Sequence, residues 1–162
     1  MKWKMTRTVT VISFFVTTFL NTTPAHAQRC STAGVAGDYG FTIAGTLLSP
    51  AGAVQVAGVG KASLSANGGF SGPEARSVGG GFANETLNGT FTVNADCTGT
   101  LTAEVFESGQ LVRTSSFSIV FDNNEKELRA VQSSLKLPDG TIVPAVITVE
   151  GKRRFPATNK TE

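Results

Sequence analysis

Apolar and polar residues alternate with a period of two through most of the chain after residue 37. Tyr39, Phe41 and Ile43 form the first such run, and turn signals such as Asn67-Gly68-Gly69 and Pro138-Asp139-Gly140 separate the later ones. A period of two is typical of strands with one buried face. No stretch after residue 37 shows a sustained helical period, so the pattern predicts about eight short strands and an all-β fold.

The clearest strands place one consistent set of apolar residues on the same face, and we expect this set to form the core. Its members are Phe41, Leu87, Phe91, Leu101, Phe117 and Ile119. Pro73 is expected to interrupt the strand that opens at Phe70, because proline cannot donate to a ladder.

Even spacing of short strands indicates a β-sandwich or an up-and-down antiparallel barrel. Glycines recur inside the predicted strands, at Gly45, Gly58, Gly60 and Gly89. Strand glycines permit sharp bends that let a sheet coil and close. No connection is long enough for a Greek key. Both features favour the barrel.

The first 27 residues have the pattern of a signal peptide. Lys2, Lys4 and Arg7 precede the apolar run from Thr8 to Leu20, and Ala25-His26-Ala27 supplies a small-x-small cleavage site. The alternative is an uncleaved membrane anchor, for which the run is short, since a spanning helix needs about 20 apolar residues. We therefore expect an exported protein, periplasmic or extracellular, with no membrane span after cleavage.

The rest of the chain is predicted to be a single β-barrel domain, residues 28–154, followed by a flexible tail, residues 155–162. Three of the 14 Lys and Arg residues and none of the 12 Asp and Glu residues lie in the signal, so the mature chain is slightly acidic. This balance gives no electrostatic case for nucleic acid or for anionic membranes. Lys152-Arg153-Arg154 is interpreted as a solvated strand end.

The mature chain has little of the chemistry that enzymes use. His26, the single His, lies in the signal. Imidazole is therefore absent from any catalytic pair or zinc site, and we expect no metal and no cofactor. Cys30 and Cys97 lack metal-ligand spacing, and an even pair in an exported chain indicates a disulfide, worth about 4 kcal/mol of stability. Two buried free thiols are the alternative.

Several segments together resemble a family of small secreted bacterial proteins of unknown function. The resemblance lies in Gly37–Phe41, Val59-Gly60, Asn67–Phe70, Leu87–Val93 and, most specifically, the D-C-T-G-T turn Asp96–Thr100. It implies a barrel similar to allene oxide cyclases and the wider calycin group. It implies no activity, because fold does not determine function.

Four residues are candidates to bind a ligand inside such a barrel: Tyr39, Arg113, Arg129 and Gln132. A polar group that faces a lumen can orient a ligand, whereas most polar strand residues face water. Tyr39 is alternatively a core residue with a satisfied hydroxyl. Glu104 and Glu107 have opposite strand parity, which argues against a carboxylate pair across a cleft.

Three functions remain open from the sequence. The first is binding of a small apolar ligand, because eight strands enclose a lumen that side chains fill or that admits one small molecule. The second is a structural or interaction protein of the cell envelope with a filled barrel. The third is a cyclase or isomerase. The oligomeric state is not predicted.

Cleavage after Ala27 is expected to leave Gln28 as the first residue of the exported protein, since the small-x-small site follows a short apolar run. Amino-terminal sequencing of the exported material checks this. An intact Met1 on exported protein would contradict it.

Overall fold

A computed structural model describes residues 29–122 and 124–154. The predicted signal peptide and the tail 155–162 lie outside the described residues. Eight strands make up most of the described chain. They are β1 (Gly37–Ser49), β2 (Gly52–Leu64), β3 (Gly69–Val78), β4 (Gly81–Val93), β5 (Thr98–Glu107), β6 (Gln110–Asp122), β7 (Glu127–Lys136) and β8 (Ala145–Arg153).

Each strand pairs with its neighbours in sequence, and all pairs are antiparallel. β8 returns to β1, with pairs from Tyr39↔Arg153 to Leu47↔Ala145, so the sheet closes on itself. Closure removes the unpaired edges that an open sheet would present. The prediction of an all-β, up-and-down, eight-stranded barrel is confirmed. Residues 29–122 and 124–154 contain no helix that could cross a membrane.

Alternate residues of every strand point into the barrel, as the period of two predicts. All six predicted core residues lie inside. Phe41, Leu87, Phe91 and Ile119 are buried in the core cluster, and Leu101 and Phe117 pack against it.

Two of the strand glycines make room for aromatic rings inside the lumen. A Cβ at Gly60 would collide with the ring of Phe41, and a Cβ at Gly89 would collide with the ring of Phe70 and the carbonyl of Thr102. The glycines therefore let rings lie flat against the inner wall where strands approach closely.

Pro73 does not interrupt its strand, contrary to the sequence expectation. β3 runs continuously, and Pro73 keeps its partner Thr86 on β4. The gap appears in the ladder to β2, where pairing stops after Gly60↔Glu74 and resumes at Ser63↔Ser71. Proline lacks only its own N–H, so one neighbour is lost and the other is kept.

The two ends of the barrel differ. At the lower end, where the loops after β2, β4 and β6 lie, residues 29–36 form an N-terminal plug. The predicted disulfide is confirmed: Cys30 and Cys97 join the plug to the loop after β4, across a sequence separation of 67. Val35 in the plug is fully buried. The Arg153 guanidinium donates to the carbonyls of Gly34 and Ala36. The upper end carries the loops after β1, β3, β5 and β7.

Replacement of Phe91 by Ala is expected to lower the free energy of unfolding by about 3–5 kcal/mol, because it empties space in a packed core. Phe91 is 3% exposed. Thr92→Ala is the matched control, since Thr92 is the exposed next residue on the same strand. Urea unfolding measures both variants. Equal losses would show that the faces of β4 are reversed.

Candidate functional site

Two cavities lie in the lumen, one above the other. The inner cavity has a volume of about 80 Å³ and a mostly apolar wall that includes Phe41, Phe70, Ala103, Val105 and Phe117. The vestibule is the larger cavity, about 390 Å³, bounded by the upper ends of the strands. Its apolar wall includes Leu47, Val78, Phe82, Val112, Leu135 and Val143. Arg113 lines both cavities, so they are neighbours across its side chain.

Four charged side chains, here called the charged cluster, lie inside the barrel. They are Glu74 and Arg76 of β3, Glu85 of β4 and Arg113 of β6. Arg113 makes a bidentate pair with Glu85, with Nη1–Oε1 at 2.5 Å and Nη2–Oε2 at 2.8 Å. Its Nη2 lies 3.6 Å from Glu74 Oε1, and Arg76 Nη1 lies 3.6 Å from Glu85 Oε1. The cluster has two positive and two negative groups.

A β-bulge lies next to Arg113 in β6. Val105 of β5 pairs with Arg113, but the next residue, Phe106, pairs with Leu111, so Val112 is an extra residue in β6. Arg113 keeps the register of the rest of the ladder, and the bulge shifts only the pairing of Gln110 and Leu111 before it. Beyond the bulge, β6 keeps one parity, and Arg113 and Ser115 face the inner cavity.

Glu74 is the least satisfied member of the charged cluster. Its side chain is 2% exposed, and within the described part of the chain its Oε1 has no hydrogen-bond partner. Burial raises the pKa of Glu74; Arg113 opposes this shift, while Glu85 adds to it. Burial also lowers the pKa of Arg76, and the like charge of Arg113 acts in the same direction. Desolvation is therefore the dominant influence on both groups.

The sequence pattern did not single out Glu74, Arg76 or Glu85. Strand parity could have identified them. Glu74 and Arg76 have the same parity in β3 as the inward Phe70, and Glu85 has the same parity in β4 as the inward Leu87. A charge on an otherwise apolar face is the feature that marks these positions.

The four residues proposed from the sequence lie in four different environments. Arg113 is in the charged cluster. The Tyr39 ring lines the inner cavity, while its hydroxyl lies 2.9 Å from Val35 O and 2.8 Å from Glu125 O. One proton therefore serves two plug-side carbonyls, and burial raises the pKa of Tyr39.

Gln132 and Arg129 of β7 have opposite parity and separate accordingly. Gln132 Nε2 donates to Ser115 Oγ at 2.9 Å and to Ser134 O at 3.1 Å. Arg129 lies on the outer wall, with its side chain 65% exposed and paired with Asp122. It lines neither cavity. A ligand-binding role for the four residues stays a prediction.

The two carboxylates of β5 do not form a pair across the lumen. Glu104 is exposed on the outer wall, and Glu107 lies at the rim of the vestibule. Within residues 29–122 and 124–154, no group of three or more His, Cys, Asp or Glu side chains is placed to hold a metal ion.

Replacement of Glu85 by Gln is expected to lower the free energy of unfolding by about 3 kcal/mol, at the lower end of the range for a broken buried pair. The change removes the charge that pairs bidentately with the buried Arg113, and Glu74 Oε1, 3.6 Å away, stays as its carboxylate partner. Asp122→Asn is the control, since it breaks an ion pair on the outer wall. Exposed pairs contribute little, so the urea midpoint should barely move in the control. Equal shifts in the two variants would show that the Arg113–Glu85 pair is no more important than a surface pair.

No protein-family model matches this chain, and no curated protein matches it. The resemblance to small secreted bacterial proteins therefore remains an expectation from the sequence. What is established is an eight-stranded antiparallel barrel with one disulfide.

Proposed function

We propose that this protein binds a small, largely apolar molecule in the upper half of its barrel. The observation that carries the proposal is the vestibule, a largely apolar recess of about 390 Å³ whose lining includes Arg76, Glu85 and Arg113 of the charged cluster. Ligand sites typically have volumes of about 300–1,000 Å³, with mostly apolar walls and a few placed polar groups. The vestibule has this composition, with Arg76, Glu85, Glu107 and Arg113 as its charged residues.

The size of the inner cavity limits what lies below the charged cluster. An engineered apolar cavity of about 150 Å³ binds benzene. The inner cavity, at about 80 Å³, has roughly half that volume. The body of the ligand therefore occupies the vestibule, and only a short end group fits beneath it.

The residues of the inner wall favour binding over a filled, purely structural barrel. Ala62, Ala103 and Ala130 leave space that larger side chains would have filled, and Arg113 points into that space. The structural alternative is retained as an outcome of the experiment.

We also infer that the protein acts outside the cytoplasm, in the periplasm or the medium. The disulfide supports this inference, because such bonds persist in oxidising compartments. The signal pattern of residues 1–27 supports it independently.

The binding proposal is tested with a variant that fills the vestibule. Ala83 lines the vestibule and Ala57 is exposed on β2, so Ala83→Trp and Ala57→Trp add the same group inside and outside the barrel. Titration with the uncharged fluorophore 1-aminoanthracene should give a Kd at least tenfold weaker for Ala83→Trp, and an unchanged Kd for Ala57→Trp.

Native mass spectrometry of the purified wild-type protein, before and after extraction with solvent, provides a second measurement. A retained small molecule that is absent from Ala83→Trp supports the proposal. Thermal unfolding establishes that both variants are folded. No retained molecule and no fluorophore binding by the wild type would reject the proposal and favour the structural alternative.

A further inference from the structure

The inner cavity contains an unused hydrogen-bond acceptor. Glu74 lines this cavity, and its buried Oε1 has no hydrogen-bond partner among the described residues, although Arg113 Nη2 lies 3.6 Å away. Buried polar groups are nearly always paired, and an unpaired one is costly. A donor that enters the inner cavity would remove this cost.

The same cavity also offers a hydrogen-bond donor. Ser115 lines the cavity, and its Oγ accepts a hydrogen bond from Gln132 Nε2 at 2.9 Å. A hydroxyl has one proton and two lone pairs, so the Ser115 proton stays available for another acceptor. An acceptor and a donor on one small cavity match a group that both donates and accepts.

The charged residues around the inner cavity favour a neutral group on the ligand. The charged cluster is balanced, and Glu107 at the vestibule adds a negative charge, so an anionic ligand would meet an excess of carboxylates. An ammonium bound to Glu74 would lie close to the guanidinium of Arg113, whose Nη2 is 3.6 Å from the same Oε1. Either charge would also lose its hydration in an apolar cavity. A neutral hydroxyl is not repelled by the carboxylates or by the guanidinium of Arg113, and it loses no ionic hydration.

We propose that the ligand is a neutral, apolar alcohol whose hydroxyl end lies in the inner cavity, donates to Glu74 and accepts from Ser115. Its apolar body lies in the vestibule, on the other side of Arg113. The volume of about 80 Å³ restricts the inner end to a short, unbranched chain. This inference rests on the proposed binding function and names its ligand class.

Four probes with equal tails separate the possible ligand chemistries. Octan-1-ol, octanoate and octylammonium differ in charge, and 1-methoxyheptane has the size of octan-1-ol without its O–H. Isothermal titration calorimetry of the mature protein should give octan-1-ol a Kd at least tenfold lower than each of the other three.

Variants of Glu74 then test whether this residue causes the preference for octan-1-ol. Glu74→Leu should reduce the preference for octan-1-ol over 1-methoxyheptane to less than twofold, whereas Glu74→Gln keeps a carbonyl acceptor and should retain most of it. Glu104→Leu is the matched control on the outer wall and should change nothing. Ser115→Ala provides a second reading should Glu74→Leu fail to fold, and it should reduce the same preference at least threefold.

The outcomes distinguish this inference from the function on which it rests. Equal binding of all four probes would overturn the alcohol proposal and leave the binding function intact. Tighter binding of octanoate or octylammonium would do the same. An alcohol preference that survives in Glu74→Leu would show that water, not ligand, satisfies Glu74. No binding of any probe, together with a negative fluorophore titration, would reject both proposals.

Discussion

The ladder between β1 and β8 is the constraint on which the rest of the structure depends. It joins the first and last strands, from Tyr39↔Arg153 to Leu47↔Ala145, and turns a sheet into a closed wall. Eight strands enclose a lumen only wide enough for side chains or one small ligand. Every inward position must therefore fit the same limited space, which explains why rings of Phe41 and Phe70 lie against glycines.

Within that space, burial of the charged cluster carries a large unfavourable desolvation free energy. Charged groups lose their hydration when they are buried. The attraction between them offsets this loss only when the geometry of the ion pairs is good. The bidentate Arg113–Glu85 pair has such geometry, whereas Glu74 Oε1 lies 3.6 Å from Arg113 and has no hydrogen-bond partner among the described residues. An apolar set of residues would fill the same volume at less cost. Stability alone therefore does not explain why charges are buried here.

The charged cluster lies between two ends of the barrel that differ in structure. At the lower end, Tyr39, Glu125 and Arg153 fix the plug through hydrogen bonds, and the Cys30–Cys97 bond joins it to the loop after β4. Closing a loop of that length removes about 4 kcal/mol of unfolded-state entropy in the chain-entropy model. The upper end has the vestibule instead.

The sequence by itself determined most of the strands and the inward apolar residues, and it indicated the disulfide, because these follow from local periodicity, turn residues and an even cysteine pair. Phe91 and Ile119 were placed inside on parity alone. Parity also separates Arg129 from Leu128, but the weaker pattern of β7 obscured it.

Only the tertiary structure decided which inward side chains meet. Glu74, Glu85 and Arg113 come from β3, β4 and β6, and their contacts depend on inter-strand register and on the stagger of a closed barrel. None of these is local in sequence. A period of two assigns a residue to a face; it does not assign its neighbour across the lumen.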